Sequence, residues 1–213
     1  RNIFIFYISV NRVVTNIFFK KFIFRTIKFF CYQIIFTSIF YIKKKIFFSI
    51  VSRGYKRKTR GFIVATEKDN PKSIGDEPTQ YLNKFSNYSK VMVSENRNYA
   101  LEYCDNNDIN YVIMDDAFQN HSFNKDVDIL ISSYNRPFFN DHIFPMGMLR
   151  ESRKNAKRAD ILIYSNCPYD MGTEERRNFV IKSQKYSDKK APILFSKTEY
   201  LNPVRLFGSK LFN

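Results

Sequence analysis

From Val51 onward, short apolar runs of strand length alternate with amphipathic stretches of helix length. The apolar runs are residues 90–94, 111–114, 127–132, 159–164 and 192–196. Residues 96–107 are typical of a helix, and a second helix is predicted from Thr173 to about Tyr186, with Thr173 as its cap. This alternation predicts an α/β fold, a three-layer sandwich around a mostly parallel sheet.

Residues 1–50 have a different composition. They contain 12 Phe and nine Lys or Arg, but no Asp, Glu, Gly, Ala, Leu or Pro. Helices normally use Leu and Ala, and turns normally use Gly, Pro or Asp, so an ordinary fold is not expected here. One interpretation is an out-of-frame reading of AT-rich DNA. The other is a membrane-contacting interfacial segment around the charge-free run 29–42, which is shorter than the ~20 residues of a bilayer span.

The charge balance narrows the choice of partners. The formal net charge of +15 favours nucleic acid, phosphorylated substrates or an acidic membrane face. Nine positive charges lie in residues 1–50, which leaves +6 for the other 163 residues. No nucleic-acid module is recognisable, so we do not expect nucleic acid as a partner. The three cysteines are widely spaced without a CxxC, which predicts reduced thiols in a cytosolic setting.

An acidic pair follows one of the predicted strands. The apolar run 111–114 leads directly into Asp115 and Asp116. In phosphoryl-transfer enzymes an acid at such a strand end holds magnesium, and parallel sheets place their ligand sites beyond the carboxyl ends of their strands. The alternative is a strand that ends in a simple Asx turn.

A second motif is Gly75-Asp76-Glu77-Pro78. Glycine permits a tight turn, and proline restricts Glu77 to extended backbone. Asp76 would then lie on a rigid corner, as a general base requires. The alternative is an ordinary loop.

Two further segments carry basic side chains. Residues 52–58 (SRGYKRK) form a basic loop that either clamps phosphates or is solvated. Residues 144–151 contain Arg150, which has the geometry to fork onto a phosphate. The second segment lies in the polar stretch 133–158, and loops of this length are usually functional or disordered.

Taken in order, these segments resemble the tetraacyldisaccharide 4'-kinase family. Residues 52–58, GDEP at 75–78, DDAFQ at 115–119, P-x-G-x-L-R-E at 145–151 and RADILI at 158–163 follow the family's order of motifs. The resemblance covers residues 51–168 and is expected to continue to the end. DDAFQ together with 134–136 (YNR) is most similar to the Bacteroidota form.

The resemblance implies a P-loop-kinase-like core that phosphorylates the 4'-hydroxyl of a lipid A disaccharide precursor. The cofactors would be ATP and Mg²⁺, and the location the cytoplasmic face of the bacterial inner membrane. Asp76 would be the catalytic base, supported by Glu77. Asp115 and Asp116 would hold the metal.

The remaining implied roles concern anion binding. Gln119 matches the glutamine that follows the acidic pair. Arg97 and Arg150 are similar to the family's arginines that bind substrate or phosphate.

Three departures from the family pattern affect the expected activity. Asn120 stands where the family has histidine, and the chain ends at Asn213, before the second-lobe histidine of its relatives. The glycine-rich phosphate-binding loop precedes SRGY in the family, yet residues 1–50 contain no glycine. We therefore expect an atypical segment 1–50, a kinase core over 51–190 without its P-loop, and the start of a truncated second lobe over 191–213.

Activity of this chain is accordingly in question. The alternatives are a catalytically dead remnant or a basic, anion-binding protein at the membrane surface.

Overall fold

One mostly parallel sheet organises the chain. The computed structural model describes residues 45–197 together with the backbone of residues 4–10. The strands are β1 (Phe4–Val10), β2 (Phe48–Ser52), β3 (Ile63–Val64), β4 (Ser89–Val93), β5 (Tyr111–Asp115), β6 (Val127–Ser133), β7 (Ile161–Ser165) and β8 (Ile193–Phe195). The helices are α1 (Pro71–Ile74), α2 (Asp76–Phe85), α3 (Asn98–Asn106) and α4 (Thr173–Ser183), with 3₁₀ turns at Phe138–Asn140 and Arg153–Arg158.

The strand order among the described residues is β3-β4-β2-β5-β1-β6-β7-β8. Every neighbouring pair is parallel except β3 and β4. The five strands from β4 to β8 lie where the apolar runs predicted them, which confirms the α/β fold with a mostly parallel sheet. Strands β1, β2 and β3 were not predicted.

Helices cover both faces of the sheet, and the alternation along β2 shows this directly. Phe48 and Ile50 pack into the core cluster that contains the buried side of α2, whereas Val51 packs into the cluster that contains Cys104 of α3. All five residues of β2 are buried, as expected for a strand in the interior of a parallel sheet. The predicted three-layer arrangement is therefore present.

The segment 1–50 contributes to this sheet. Strand β1 lies at its centre between β5 and β6, and β2 begins at Phe48, so the predicted boundary after residue 50 falls inside a strand. The candidate interfacial run 29–42 and residues 198–213 lie outside the described residues. Within the part of the chain that the structure describes, no helix combines the length and apolar character needed to cross a bilayer.

Two local expectations were wrong. Helix α4 is capped by Gly172 without a side-chain hydrogen bond, and Thr173 is its first helical residue. Glu77 is helical rather than extended, since α2 begins at Asp76 and Pro78 is its third residue. Proline is tolerated there because the first turn of a helix has no intrahelical partner for its backbone N–H groups.

Candidate active site

The site lies where the first turn of α2 meets the carboxyl end of β5. Asp76 is exposed and Glu77 is half-buried in that first turn. From the buried side of α2, the Tyr81 hydroxyl donates to Asp115 Oδ2 at 3.3 Å. Glu77 and Tyr81 are four residues apart and therefore share a face of the helix. The GDEP motif thus starts a helix that is joined to the acidic strand end.

Two glycines allow the loop after β2 to approach the start of α2. Gly54 and Gly75 both have left-handed φ angles, +68° and +96°. A Cβ on Gly54 would lie 2.7 Å from the carbonyl oxygen of Ile74, and one on Gly75 would lie 3.0 Å from that of Tyr55. These contacts exclude larger residues at both positions. The glycines of SRGY and GDEP therefore pack backbone against backbone.

Asp115 is a buried carboxylate with few compensating groups. Its side chain accepts hydrogen bonds from the Ser52 and Tyr81 hydroxyls, both at 3.3 Å, and the residue is 6% exposed. Burial raises the pKa of Asp115 well above the usual carboxyl value, and the nearby charges of Glu77 and Asp116 raise it further. Arg97 acts in the opposite direction. The ionised form of this side chain therefore lacks sufficient neutralisation from the protein.

Arg97 is a buried side chain that binds the backbone at the C-terminal end of β5. It is 4% exposed, and its guanidinium donates to the backbone carbonyls of Asp115 at 2.6 Å and Asp116 at 3.1 Å. These bonds hold the backbone on which both acids lie. The structure brings Arg97 to the predicted site, but as a buried support. Its anion-binding role stays a prediction.

Asp116 turns outward. Its φ of +46° is left-handed, a conformation that aspartate tolerates better than most residues. The Arg150 guanidinium donates to both carboxylate oxygens at 2.9 and 3.1 Å, and both side chains are about two-fifths exposed. The distant P-x-G-x-L-R-E segment is thereby joined to the acidic pair.

Gln119 lies slightly apart from this cluster. It is half-buried and lines a small cavity with Phe118, Leu149, Glu151 and Ser152. Gln119 therefore lies beside the 145–151 segment, three residues after Asp116 in the chain. Asn120, at the family's histidine position, accepts from the backbone and hydroxyl of Ser122.

The basic loop 52–58 divides into two kinds of side chain. The Arg57 side chain is 2% exposed, and its guanidinium donates to the carbonyl of Gly61 at 2.5 Å and to Glu95 at 2.7 Å. Arg53, Lys56 and Lys58 are exposed. Arg57 is thus a structural residue, and the other three remain available to solvent or an anion.

The acidic cluster suits Mg²⁺ in its chemistry. Mg²⁺ prefers carboxylate oxygens and is typically held by one or two carboxylates, with water and substrate phosphates completing its shell. Asp115 and Asp116 supply that number, and the raised pKa of Asp115 indicates a carboxylate that a cation would stabilise. Among the described residues, no group of three or more His, Cys, Asp or Glu side chains forms a larger metal site.

Replacing Asp115 with asparagine is expected to stabilise the fold. Because the native pKa is raised, the folded state binds more protons than the unfolded state between the two pKa values, and stability falls as pH rises through that window. Asparagine does not ionise, so the variant does not lose this stability as the pH rises. We expect a Tm increase of at least ~2 °C at pH 7, since each kcal/mol shifts Tm by roughly 2–4 °C at this chain length. Thermal unfolding between pH 4 and 7 measures it.

Asp141→Asn is the matched control for that experiment. Asp141 is also a buried aspartate, but its carboxylate pairs with Arg136 at 3.0 Å and accepts from the backbone N–H groups of His142 and Met148. The amide cannot reproduce these bonds, so this variant should lower Tm. A lower Tm for Asp115→Asn at neutral pH would contradict the account of Asp115.

Sequence reasoning missed two residues that contact Asp115. Ser52 was noted only as part of the basic loop, and Tyr81 was not singled out. Placing Pro78 in a first helical turn predicts a helix over this stretch. Tyr81 then lies four residues after Glu77, on the same helix face, which is the signal that could have identified it. Ser52 gave no comparable signal, because its contact depends on β2 and β5 being neighbours.

Comparisons with known proteins identify the family and the fold of the chain. The family model described as tetraacyldisaccharide-1-P 4'-kinase matches residues 37–204. The fold resembles a crystal structure of the "apo" form of LpxK from Aquifex aeolicus in complex with ATP. The TM-score is 0.58 at 20% identity, over 93% of this chain and 72% of that one.

Curated relatives include the tetraacyldisaccharide 4'-kinases of Flavobacterium psychrophilum (39% identical over 152 residues) and Cytophaga hutchinsonii (36% over 154). These matches cover 70% and 71% of this chain, but 44% and 43% of the relatives. The chain thus spans less than half the length of these relatives. Both organisms are Bacteroidota, which confirms the predicted resemblance. Since the family model matches most of its length, the chain belongs to the tetraacyldisaccharide-1-P 4'-kinase family.

Proposed function

We propose that this chain contributes the acceptor and metal side of a tetraacyldisaccharide 4'-kinase. The whole protein would transfer the γ-phosphoryl group of ATP to the 4'-hydroxyl of a tetraacyldisaccharide 1-phosphate, at the cytoplasmic face of the bacterial inner membrane. One observation carries the proposal: the helix start with Asp76 and Glu77 is joined through Tyr81 to the acidic end of β5. The motifs of the family thus converge on one edge of a parallel sheet.

Asp76 is proposed as the general base. It is exposed in the first turn of α2, where the helix dipole favours a carboxylate. As the 4'-oxygen attacks the γ-phosphorus, the hydroxyl proton passes to the Asp76 carboxylate, the bond from phosphorus to the bridging oxygen breaks, and ADP leaves. Glu77 would keep the local charge negative and hold the acceptor hydroxyl beside Asp76.

Asp115 and Asp116 would hold Mg²⁺, which when bound neutralises the charge that develops on the transferring phosphoryl group. Arg97 fixes the backbone of both acids, so their spacing is set before substrate arrives. Such preorganisation reduces the reorganisation needed at the moment of reaction.

Arg150 and Gln119 would contact the substrate or its phosphates. Arg150 is two-fifths exposed and bound to Asp116, so its guanidinium would be able to exchange that carboxylate for a substrate phosphate. Gln119 lies on the same side, beside the 145–151 segment.

Residues 1–213 alone are expected to transfer phosphate only at a background rate. Residues 1–50 contain no glycine, so no glycine-rich loop can cradle the nucleotide phosphates there. The assay uses radiolabelled ATP, Mg²⁺ and a tetraacyldisaccharide 1-phosphate acceptor. Robust turnover by residues 1–213 would contradict the missing-loop interpretation.

A chimera tests the site itself. Residues 52–197 of this chain would replace the matching segment of the Flavobacterium psychrophilum relative, which then supplies the flanking segments. We expect 4'-phosphorylated product from the chimera. A chimera that melts cooperatively yet gives no product would instead favour the catalytically dead, anion-binding alternative.

A further inference from the structure

A rigid loop with an apolar tip projects beside the candidate site. The loop runs from Asp141 to Leu149, and its tip consists of Ile143, Phe144, Pro145 and Met146. Met146 is 84% exposed and Phe144 is 73% exposed, more than any other large apolar side chain in the described residues. Single exposed apolar residues are common, but two such side chains separated by one proline form an apolar patch of the kind that marks an interaction surface.

The base of the loop is tightly organised. The Asp141 carboxylate accepts the backbone N–H groups of His142 and Met148. The N–H of Phe144 donates to Leu149 and that of Leu149 donates to His142, both at 3.0 Å. A Cβ on Gly147 would lie 2.2 Å from the carbonyl oxygen of His142, so only glycine fits. The loop therefore presents its tip from a fixed scaffold that is closed by its own hydrogen bonds.

The segment that carries the loop is basic. Residues 136–158 contain six Lys or Arg side chains against two carboxylates. Both carboxylates are paired, Asp141 with Arg136 and Glu151 with Arg158, and Arg150 is paired with Asp116. Lys154 and Lys157 are exposed in the 3₁₀ turn that follows the loop. An apolar tip flanked by cations fits an anionic bilayer surface, which offers phosphates above and hydrocarbon below.

We infer that residues 143–146 insert into the surface of an anionic phospholipid bilayer and orient the site toward it. Arg150 follows the loop directly and donates a hydrogen bond to Asp116, so the candidate site lies next to the base of the loop. A lipid-borne sugar would reach the acidic pair without leaving the membrane surface. The inference deepens the proposed function and rests on it for the identity of the lipid acceptor.

The absence of tryptophan from the chain permits a site-specific test. Phe144→Trp introduces a single reporter at the tip, and Ile181→Trp places a matched reporter on α4 at a side chain that is 49% exposed. Each 213-residue variant is mixed with vesicles of phosphatidylcholine and phosphatidylglycerol that contain neither ATP nor disaccharide. We expect the Phe144→Trp emission to shift to shorter wavelength and to be quenched by brominated lipids, and the Ile181→Trp emission to change in neither respect.

The partitioning of the protein between solution and vesicles gives the second readout. The double variant Phe144→Ser/Met146→Ser is expected to bind these vesicles about tenfold more weakly than Ile181→Ser, because it loses two apolar side chains that enter hydrocarbon. Unchanged partitioning, an unshifted Phe144→Trp spectrum on bound protein, or no vesicle binding at all would each overturn the inference. A shift that requires added tetraacyldisaccharide would overturn it in favour of an acyl-chain subsite. None of these readouts depends on phosphoryl transfer, so a failed kinase assay is distinguishable from a failed membrane contact.

Discussion

Asp76→Asn is expected to lower the turnover of the active chimera by about 10³-fold with little change in KM for the acceptor. Asparagine retains the size of aspartate and its place at the start of α2, but it cannot accept the proton of the 4'-hydroxyl. General base catalysis typically contributes about 10²–10⁴-fold. Initial rates over a range of acceptor concentrations separate the two kinetic constants.

The control for Asp76 is Glu174→Gln. Glu174 is also an exposed acid in the first turn of a helix, α4, but it lies outside the candidate site. Glu174→Gln should leave turnover and KM within about twofold of the original values, since it removes only one negative charge at a helix start. Equal effects from the two substitutions would remove the case for Asp76 as the base.

Arg97→Ala is expected to destabilise the protein by about 3–5 kcal/mol. The change removes two hydrogen bonds to the carbonyls of Asp115 and Asp116, and it leaves the buried Asp115 carboxylate without its main cationic neighbour. The effect is this large because the carboxylate would stay buried without a compensating charge. Asp115→Asn is not equivalent, because Arg97 then keeps its hydrogen bonds to both backbone carbonyls. Urea unfolding at pH 7 measures the difference in the free energy of unfolding.

Two comparisons separate charge from packing in that result. Arg177→Ala removes an exposed arginine of α4 and should change stability by no more than about 0.5 kcal/mol. In the Asp115→Asn background, Arg97→Ala should be less harmful, since the carboxylate that needs neutralising is gone. An additive double variant would show that Arg97 acts through packing and backbone bonds alone.

Measuring the stability of the Arg97→Ala variant at acidic pH tests the coupling between Arg97 and Asp115 independently. Since Asp115 has a raised pKa, lowering the pH protonates it in the folded state and removes the charge that Arg97 balances. The destabilisation by Arg97→Ala should therefore be smaller at pH 4 than at pH 7. A constant difference across this range would argue against electrostatic coupling between the two side chains.

The strands from β4 onward could be predicted because each is a short apolar run with clear boundaries. The runs at 111–114 and 127–132 became β5 and β6 with shifts of a single residue at the C-terminal end. Strand β2 escaped prediction because its residues lie at the edge of the Phe-rich segment, where apolar residues are too frequent to mark an element. Helix α2 escaped because Pro78 was treated as a mark of extended chain, although proline is compatible with a first helical turn.

The sequence predicts only part of the contacts around Asp115. The order of the motifs predicts Asp76, Glu77, Asp115 and Asp116 as site residues, and in the structure the charges of Glu77 and Asp116 lie close enough to raise the pKa of Asp115. Arg97 and Arg150 were predicted to bind anions, but they bond protein groups in this structure. Local sequence could not reveal this, because the partners of both arginines come from distant segments.

By itself, the sequence determined the layered α/β class and the family, and it predicted the acids of the candidate site. These follow from periodicity and from residue types at set spacings, which are local properties of the chain. Tertiary structure alone decided which charges are buried and which groups balance them. It places Arg97 beneath the acidic pair, Tyr81 and Ser52 against Asp115, and an apolar tip beside Arg150. Burial and pairing arise from contacts between segments far apart in sequence, and they set both the pKa of Asp115 and the exposure of the apolar tip.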